Sequence, residues 1–443
     1  MEIKDDAKTL ANDSLKIATS ADLSISARQN VSFKSALKFW LWLGFVSFGG
    51  PAGQIAVMHR ELVERKKWVT EADFLHALNF CLLLPGPEAQ QLATYNGWRL
   101  HGIKGGAAAG AFFILPSVFI LLLLSYLYAE YGKLPALAGV LDGLKAVVLA
   151  IVAEAVFKIG AKALKNKWHW ALAGAAFVSI YFLRIPFPLI IILAAVAGFV
   201  QSKVQGAKSE IQVLKLDESK IANKKSQIIQ ITIVFVCLWL VPFVLAGLIF
   251  GWQGLPLKIY LFFTKSAFVT FGGAYAVLAY VNQAAVNSYG WITTEQAIDG
   301  FALAETTPGP LVMVLQNIGF LAGWNNPQSG FNQLFFAIVC ALLATFATFL
   351  PSFLLIFALA PFVETLQNNQ HLKSALGAVT GAVVGVILTL AITFGATVVF
   401  HQNRVDWFAV AVAATALVAL LRFKINVLWL VAGGGLIGFC KIL

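Results

Sequence analysis

Pro-Gly-Pro occurs twice inside long apolar runs, at 85–87 in "FCLLLPGPEA" and at 308–310 in "ETTPGPLVMV". Proline lacks the amide donor and clashes with the preceding turn, so each motif breaks any helix it enters. The surroundings make such breaks costly. Apolar stretches near the length that crosses a bilayer, about 20 residues, recur at 105–130, 137–161, 228–250, 331–360, 375–400 and 405–421. In hydrocarbon an unpaired backbone group costs several kcal/mol, so irregular backbone survives there only where protein or a cavity surrounds it. With 59% hydrophobic and 12% charged residues, against roughly 25% charged in soluble domains, the chain reads as an all-α polytopic membrane protein.

The breaks belong to an internal duplication. "FVSFGGPAGQIAV" from Phe45 is repeated as "FVTFGGAYAVLAY" from Phe268, an offset of 223 residues. Trp68 falls on Trp291 and Pro85-Gly86-Pro87 on Pro308-Gly309-Pro310 in the same register. Leu115-Pro116-Ser117 then matches Leu350-Pro351-Ser352 at an offset of 235, the difference being absorbed by the polar insert "WNNPQSGFNQ". The spacing divides the chain into a polar tail (1–31), a first membrane repeat (32–202), a basic cytoplasmic linker (203–227), an extra transmembrane helix (228–250) and a second repeat (255–441). Repeats of this kind are the architecture of many transporters.

One added span turns the second repeat over. The loop charges agree: "HRELVERKKW" follows the first Phe-Gly-Gly with four Lys/Arg, whereas "NQAAVNSYGW" follows the second with none. Basic loops favour the cytoplasm, so the expectation is inverted topology with about 10 to 13 membrane segments, broken or re-entrant. Tandem parallel halves are the competing arrangement, and kinked spanning helices compete with re-entrant hairpins.

A broken helix exposes the first amides of a new half-helix, which have no intrahelical partner and sit at the positive end of the helix dipole. Four such starts around one midplane cavity would bind an anion without burying a lysine. The candidate substrate-binding residues are Phe48, Gly49, Gly50, Pro85, Gly86, Pro87, Gln90, Gln91, Phe271, Gly272, Gly273, Pro308, Gly309 and Pro310. The bland alternative is that Gly and Pro serve only close helix packing. Glu88 and Glu305 flank the Pro-Gly-Pro sites, and an acid at membrane depth is expensive enough to suit a proton carrier; Glu88 also fits as an ordinary first-turn acid. Thr94, Asn96, Thr306, Thr307, Gln316 and Asn317 would either line the path or bond neighbouring helices. Arg60, Arg99 and Lys265 are candidates for anion attraction, with topology signals and snorkelling as their plain readings. Lys145, one turn from Asp142 and further from Glu154, reads as half of an internal charge pair.

Other chemistries find little support. The net charge of +11 sits in short loops between spans, which argues against nucleic acid. Cys81, Cys237, Cys340 and Cys440 form no CxxC pair, no histidine spacing suggests a metal, and no dinucleotide or phosphate loop appears. No cofactor and no metal is expected, and a membrane enzyme is a remote reading.

The stretches "FGGPAGQIAVMHRELVERKKWVTEADF", "LLPGPEAQQLATYNGWRLHG", "FGGAYAVLAYV" and "GWITTEQAIDGFALAETTPGP", with the two Leu-Pro-Ser triplets, resemble the chromate ion transporter family in its long two-domain form. The likeness covers nearly all of the chain beyond residue 32. It implies an antiporter-like secondary transporter of the inner (plasma) membrane that exports chromate with the proton gradient and confers chromate resistance. Phe48, Gly49, Gly50, Pro85, Gly86, Pro87, Glu88, Gln90 and Gln91 match the family's motif, while the second copy departs from it, with Leu311, Met313 and Val314 in the places of Glu88, Gln90 and Gln91. A sulfate-like oxyanion and a passive anion channel are the alternatives. The partners expected are the oxyanion, protons and the lipid bilayer, and a homodimer is an admissible assembly.

Overall fold

The computed structural model describes residues 31–204, 218–271, 273–363, 369–401 and 404–442. The N-terminal tail, most of the basic linker and Gly272 lie outside the described residues. Among the described residues the regular elements are helices apart from a two-residue antiparallel pairing, Phe400–His401 with Arg404–Val405. Among the described residues six helices are long and apolar enough to cross a membrane.

The first repeat opens with α1 (Phe33–Val46), which ends at the Phe-Gly-Gly break; α2 (Gly50–His59) follows and runs into a π-helical turn, Arg60–Arg65. These arms form a hairpin. Phe39, early in α1, packs against Trp68 with ring centroids 5.2 Å apart. One continuous helix would hold those residues about 40 Å apart. The second repeat closes the same way, with α9 (Leu255–Val269), α10 (Ala274–Asn282) and a π-helical turn, Gln283–Ser288. Phe262 lies 5.6 Å from Trp291, the same pair displaced by 223. In the first repeat Lys66 completes the closure from 5.5 Å over Phe39; in the second Tyr289 does so, at 5.4 Å from Phe262.

A second hairpin surrounds each Pro-Gly-Pro. The threonine that starts it caps α3 (Glu71–Cys81) in one repeat and α11 (Thr294–Thr306) in the other: Thr70 accepts from the Asp73 amide at 3.2 Å, and Thr293 from the Gln296 amide at 3.1 Å. Its return arm is the start of α4 (Glu88–Tyr131) or, after one 3₁₀ turn, α12 (Val314–Asn325). The length of α4 hides a reversal. His101 and Gly102 have non-helical dihedrals, and beyond them the chain doubles back. Gly97 then abuts the Gly105 carbonyl and Ala109, and Gly106 abuts the Thr94 carbonyl. Two helices can approach so closely only where side chains are absent. An ion pair ties the arms in the first repeat, Arg99 to Asp73 at 2.8 Å, and an amide pair in the second, Asn325 to Gln296 at 2.9 Å.

Long helices follow: the second arm of α4 and α5 (Pro135–Ala163) in the first repeat, α13 (Gln333–Leu359) and α14 (Gln370–Val399) in the second. A pair of shorter helices ends each repeat, α6 (Lys167–Tyr181) with α7 (Phe187–Val204), and α15 (Trp407–Leu421) with α16 (Val427–Cys440). Their turns match in detail: Arg184 and Lys424 adopt left-handed φ of 54° and 52°, and the following amides bond six residues back, Ile185 to Ser179 and Ile425 to Ala419. Each pair returns the chain to the side it left. The second arm of α4, α5 and the extra helix α8 (Glu218–Phe250) therefore make an odd number of crossings between the hairpins of the two repeats. Duplicated hairpins on opposite sides of the bilayer follow from that parity.

Replacing Gly97 by Leu should force the two arms of α4 apart, because a β-carbon there meets backbone. We expect a lower melting temperature in detergent, from about 1–3 kcal/mol of overpacking. Gly174→Ala, where a β-carbon meets nothing within 4 Å, serves as the neutral control.

Candidate functional site

The broken segments of the two repeats meet. The Gly86 amide donates to the Thr270 carbonyl at 2.9 Å, and the Gly309 amide donates to the Ser47 carbonyl at 2.7 Å. Each bond joins one repeat's Pro-Gly-Pro to the residue just before the other repeat's Phe-Gly-Gly, and the two bonds are related by the 223 offset. Ser47 and Thr270 end α1 and α9, whose last carbonyls have no helical partner. The break in one repeat thus supplies the acceptor that the break in the other requires.

The Leu-Pro-Ser triplets complete the crossing. Ser117 donates to the Pro308 carbonyl across the repeats, and Ser352 packs beside Gly86, where a β-carbon would strike its Oγ and the Gln91 amide. Gln54 of α2 donates to the Gly309 carbonyl. Its counterpart in the second repeat is Val277, so this contact has no twin. Motif spacing alone gave no role to Ser47, Gln54, Ser117, Thr270 or Ser352; the registered Leu-Pro-Ser triplets were the available signal.

Four helix starts converge here without a side-chain cap: α2 behind Gly49, α10 behind Gly273, α4 behind Pro87, and the 3₁₀ turn behind Pro310. Several helices elsewhere are capped by side chains, as α3 is by Thr70, α6 by Asn166, α13 by Asn332 and α15 by Asp406, while α5 and α9 start with a proline in the first turn and no cap. Gly49 and Gly273 are held at φ of 84° and 88°, and Gly86 and Gly309 at 127° and 97°, which a side chain would oppose. Gly50, Gly86, Pro87, Pro308, Gly309 and Pro310 are buried, and Phe48, Gly49, Pro85, Phe271 and Gly273 are half-buried.

The polar residues around the crossing differ between repeats. A β-carbon on Gly273 would lie 3.3 Å from Glu88 Oε1, so the first repeat's acid faces the second repeat's break. Gln91 donates to the Pro85 carbonyl at 2.7 Å and Gln90 to Thr94 Oγ1 at 3.0 Å, leaving both glutamine oxygens buried without a partner. The hydroxyls of Ser47 and Ser352 and Oε1 of Glu305 are likewise buried and unpaired. Glu305 lies within electrostatic reach of Glu154 on α5 and Tyr275 on α10.

Other polar candidates bond within their own helix or, for Gln316 and Asn317, to the first repeat. Thr306 and Thr307 donate to carbonyls of their own helix, Gln316 donates to the Val118 carbonyl, and Asn317 donates to Ser125 Oγ. Asn96 donates to the Leu92 carbonyl. Arg99 is engaged with Asp73, Arg60 is exposed beside Glu61, and Lys265 is exposed on the face of α9 that carries Leu261 and Phe268. Lys145 pairs with Asp142 at 3.3 Å as its spacing suggested, but Glu154 pairs instead with Lys158 at 2.6 Å. A further partner of Lys145 comes from the other repeat: Asp299 of α11 at 3.6 Å, which also accepts from the Tyr128 hydroxyl at 2.8 Å.

Gly309→Ala should destabilise the protein by about 2 kcal/mol more than Gly330→Ala. Both positions have left-handed φ, but only at Gly309 does a β-carbon run into another side chain, that of Ser117. Melting of the two variants in detergent checks this, and Ser117→Gly in the same chain should recover part of the loss.

The sequence matches the family described as "Chromate transporter" over residues 35–199 and 257–439. It is 30% identical over 354 residues to a probable chromate transport protein of Synechococcus elongatus, covering 79% of this chain and 81% of that one. It is 28% identical over 428 residues to a chromate transport protein of Cupriavidus metallidurans (95% and 96%), and 27% identical over 421 residues to one of Pseudomonas aeruginosa (92% of each). No solved structure matches it significantly. Both halves carry the family's sequence, their breaks are docked against each other, and the chain belongs to the chromate transporter family.

Proposed function

We propose that this protein is a secondary transporter that exports chromate from the cytoplasm, coupled to the proton gradient, and thereby confers chromate resistance. The observation that carries the reading is the reciprocal pair of backbone bonds, Gly86 to Thr270 and Gly309 to Ser47, which draws four uncapped half-helix starts to one buried place. A tetrahedral dianion there accepts from amides that have no helical partner. Hydrogen bonds to a charged group contribute about 1.5–3 kcal/mol each, so a few suffice to replace hydration. The names of the relatives supply chromate as the anion.

In this reading Phe48, Gly49 and Gly50 with Pro85, Gly86 and Pro87, and Phe271, Gly272 and Gly273 with Pro308, Gly309 and Pro310, frame the substrate site, and Gln90 and Gln91 tune it. Glu88 carries the proton. Its carboxyl faces the Gly273 break, next to the place proposed for the anion, so one site serves the outward anion step and the inward proton step in turn. Glu305, buried and unpaired at the end of α11, is the second candidate for the proton.

Proteoliposomes loaded with chromate test this. Efflux should accelerate several-fold when the outside is made acidic, and should proceed against a chromate gradient, which a passive channel does not allow. Glu88→Gln should carry chromate at a rate indifferent to the pH gradient. Coupling that survives Glu88→Gln would move the proton to Glu305, and wild-type efflux that ignores the gradient would remove proton coupling altogether. Competition by sulfate, molybdate and phosphate in the same vesicles measures how narrowly the site reads a tetrahedral oxyanion.

A further inference from the structure

A second polar space lies away from the crossing. A cavity of about 440 Å³ opens between the α6–α7 turn, the far end of α10 with its π-helical turn, and α14. Arg184, Asn282, Gln283, Asn287, Ser288 and Thr393 supply most of its polar lining, and among the described residues no carboxylate lines it. Asn282 is 7% exposed, and its side-chain oxygen has no hydrogen-bond partner. The amide is therefore free to turn either end toward an occupant.

The position of the cavity gives it a direction. α10 begins at Gly273 in the crossing and ends at Asn282, about 13 Å further along its axis. That end belongs to the uncharged loop of the second repeat, and the contrast with the Lys/Arg-rich loop of the first makes it the expected outer side. Arg184 guards the same end. It occupies a left-handed conformation at φ 54°, where a residue with a β-carbon is held at a cost of about 1 kcal/mol.

We propose that this cavity is an outer vestibule for a free tetrahedral oxyanion, with Arg184 as its charged group; the proposal rests on the oxyanion-transport reading of the crossing. The chemistry of the walls selects the occupant. A guanidinium and several amides and hydroxyls without an acid suit an anion, and repel or fail to neutralise a cation. At about 30 Å³ per water, the space holds roughly a dozen waters, which is room for an oxyanion that keeps part of its hydration shell. Such a site raises the local concentration of anion at the outer mouth. Binding there is expected to be weaker than at the crossing, because Arg184 is exposed.

The test reads the vestibule apart from transport. Asn287→Cys, in a chain whose exposed Cys237 and Cys440 are replaced by Ser, is reconstituted in phosphatidylcholine vesicles. The introduced thiol is treated with membrane-impermeant thiosulfonates, one anionic and one cationic. The ratio of anionic to cationic rates should fall about fivefold in Arg184→Gln and much less in Arg184→Lys. Millimolar sulfate should slow labelling when Arg184 is present and not in Arg184→Gln. An unchanged ratio without sulfate protection overturns the proposal, as does protection that appears only when phosphatidylglycerol is added, which would assign the cavity to a lipid headgroup. In the same vesicles Arg184→Gln should raise the half-saturating chromate concentration for flux from the outer face about tenfold and leave that from the inner face unchanged. Wild-type vesicles that carry no chromate would remove the transport reading while the labelling result stands. Chromate flux with no Arg184-dependent labelling would remove the vestibule alone.

Discussion

Two backbone hydrogen bonds between the repeats organise this protein. A helix interrupted in hydrocarbon leaves carbonyls on one side of the break and amides on the other, and neither has water to turn to. Here the carbonyls of Ser47 and Thr270 are met by the amides of Gly309 and Gly86, each from the opposite repeat. Half of the problem is thereby solved within the protein. The amides of the half-helices that begin beyond the breaks carry no side-chain cap. The same bonds force the two repeats to interpenetrate, since neither can satisfy its own breaks.

The frame is duplicated more faithfully than the chemistry mounted on it. Left-handed φ recurs at Lys67 and Gly290, at Gly86 and Gly309, and at Arg184 and Lys424, whatever the side chain. Around the crossing, by contrast, the first repeat contributes Gln54, Glu88, Gln90 and Gln91, where the second has Val277, Leu311, Met313 and Val314. The contact among Lys145, Asp299 and Tyr128 is also one-sided, because the corresponding positions are Thr380, His76 and Val363. The backbone is therefore nearly symmetric, while polar side chains at the crossing come mainly from the first repeat.

Much of this was legible before any coordinates. The 223 offset located corresponding breaks in the two repeats. Re-entry was left open against a kinked span, and what decides it is tertiary: the closure of Phe39 on Trp68 and of Phe262 on Trp291. The charged candidates were the least legible. A lysine on an apolar helix looks alike from sequence whether it faces a pore or lipid, and Lys265 lies on the outward face of α9. Arg99 is drawn to Asp73 across the second hairpin, a pairing that spacing did not reveal.

Membrane residence, duplication and the positions of the four breaks were determined by the sequence alone, because hydropathy and registered motifs act locally and need no knowledge of neighbours. Which groups the breaks would find was decided only by the tertiary structure. Gly86 is distant from Thr270 in the chain, Ser117 from Pro308, and Lys145 from Asp299. Each is an ordinary residue until packing brings its partner within reach, and in a medium without water that partner is what makes the break tolerable.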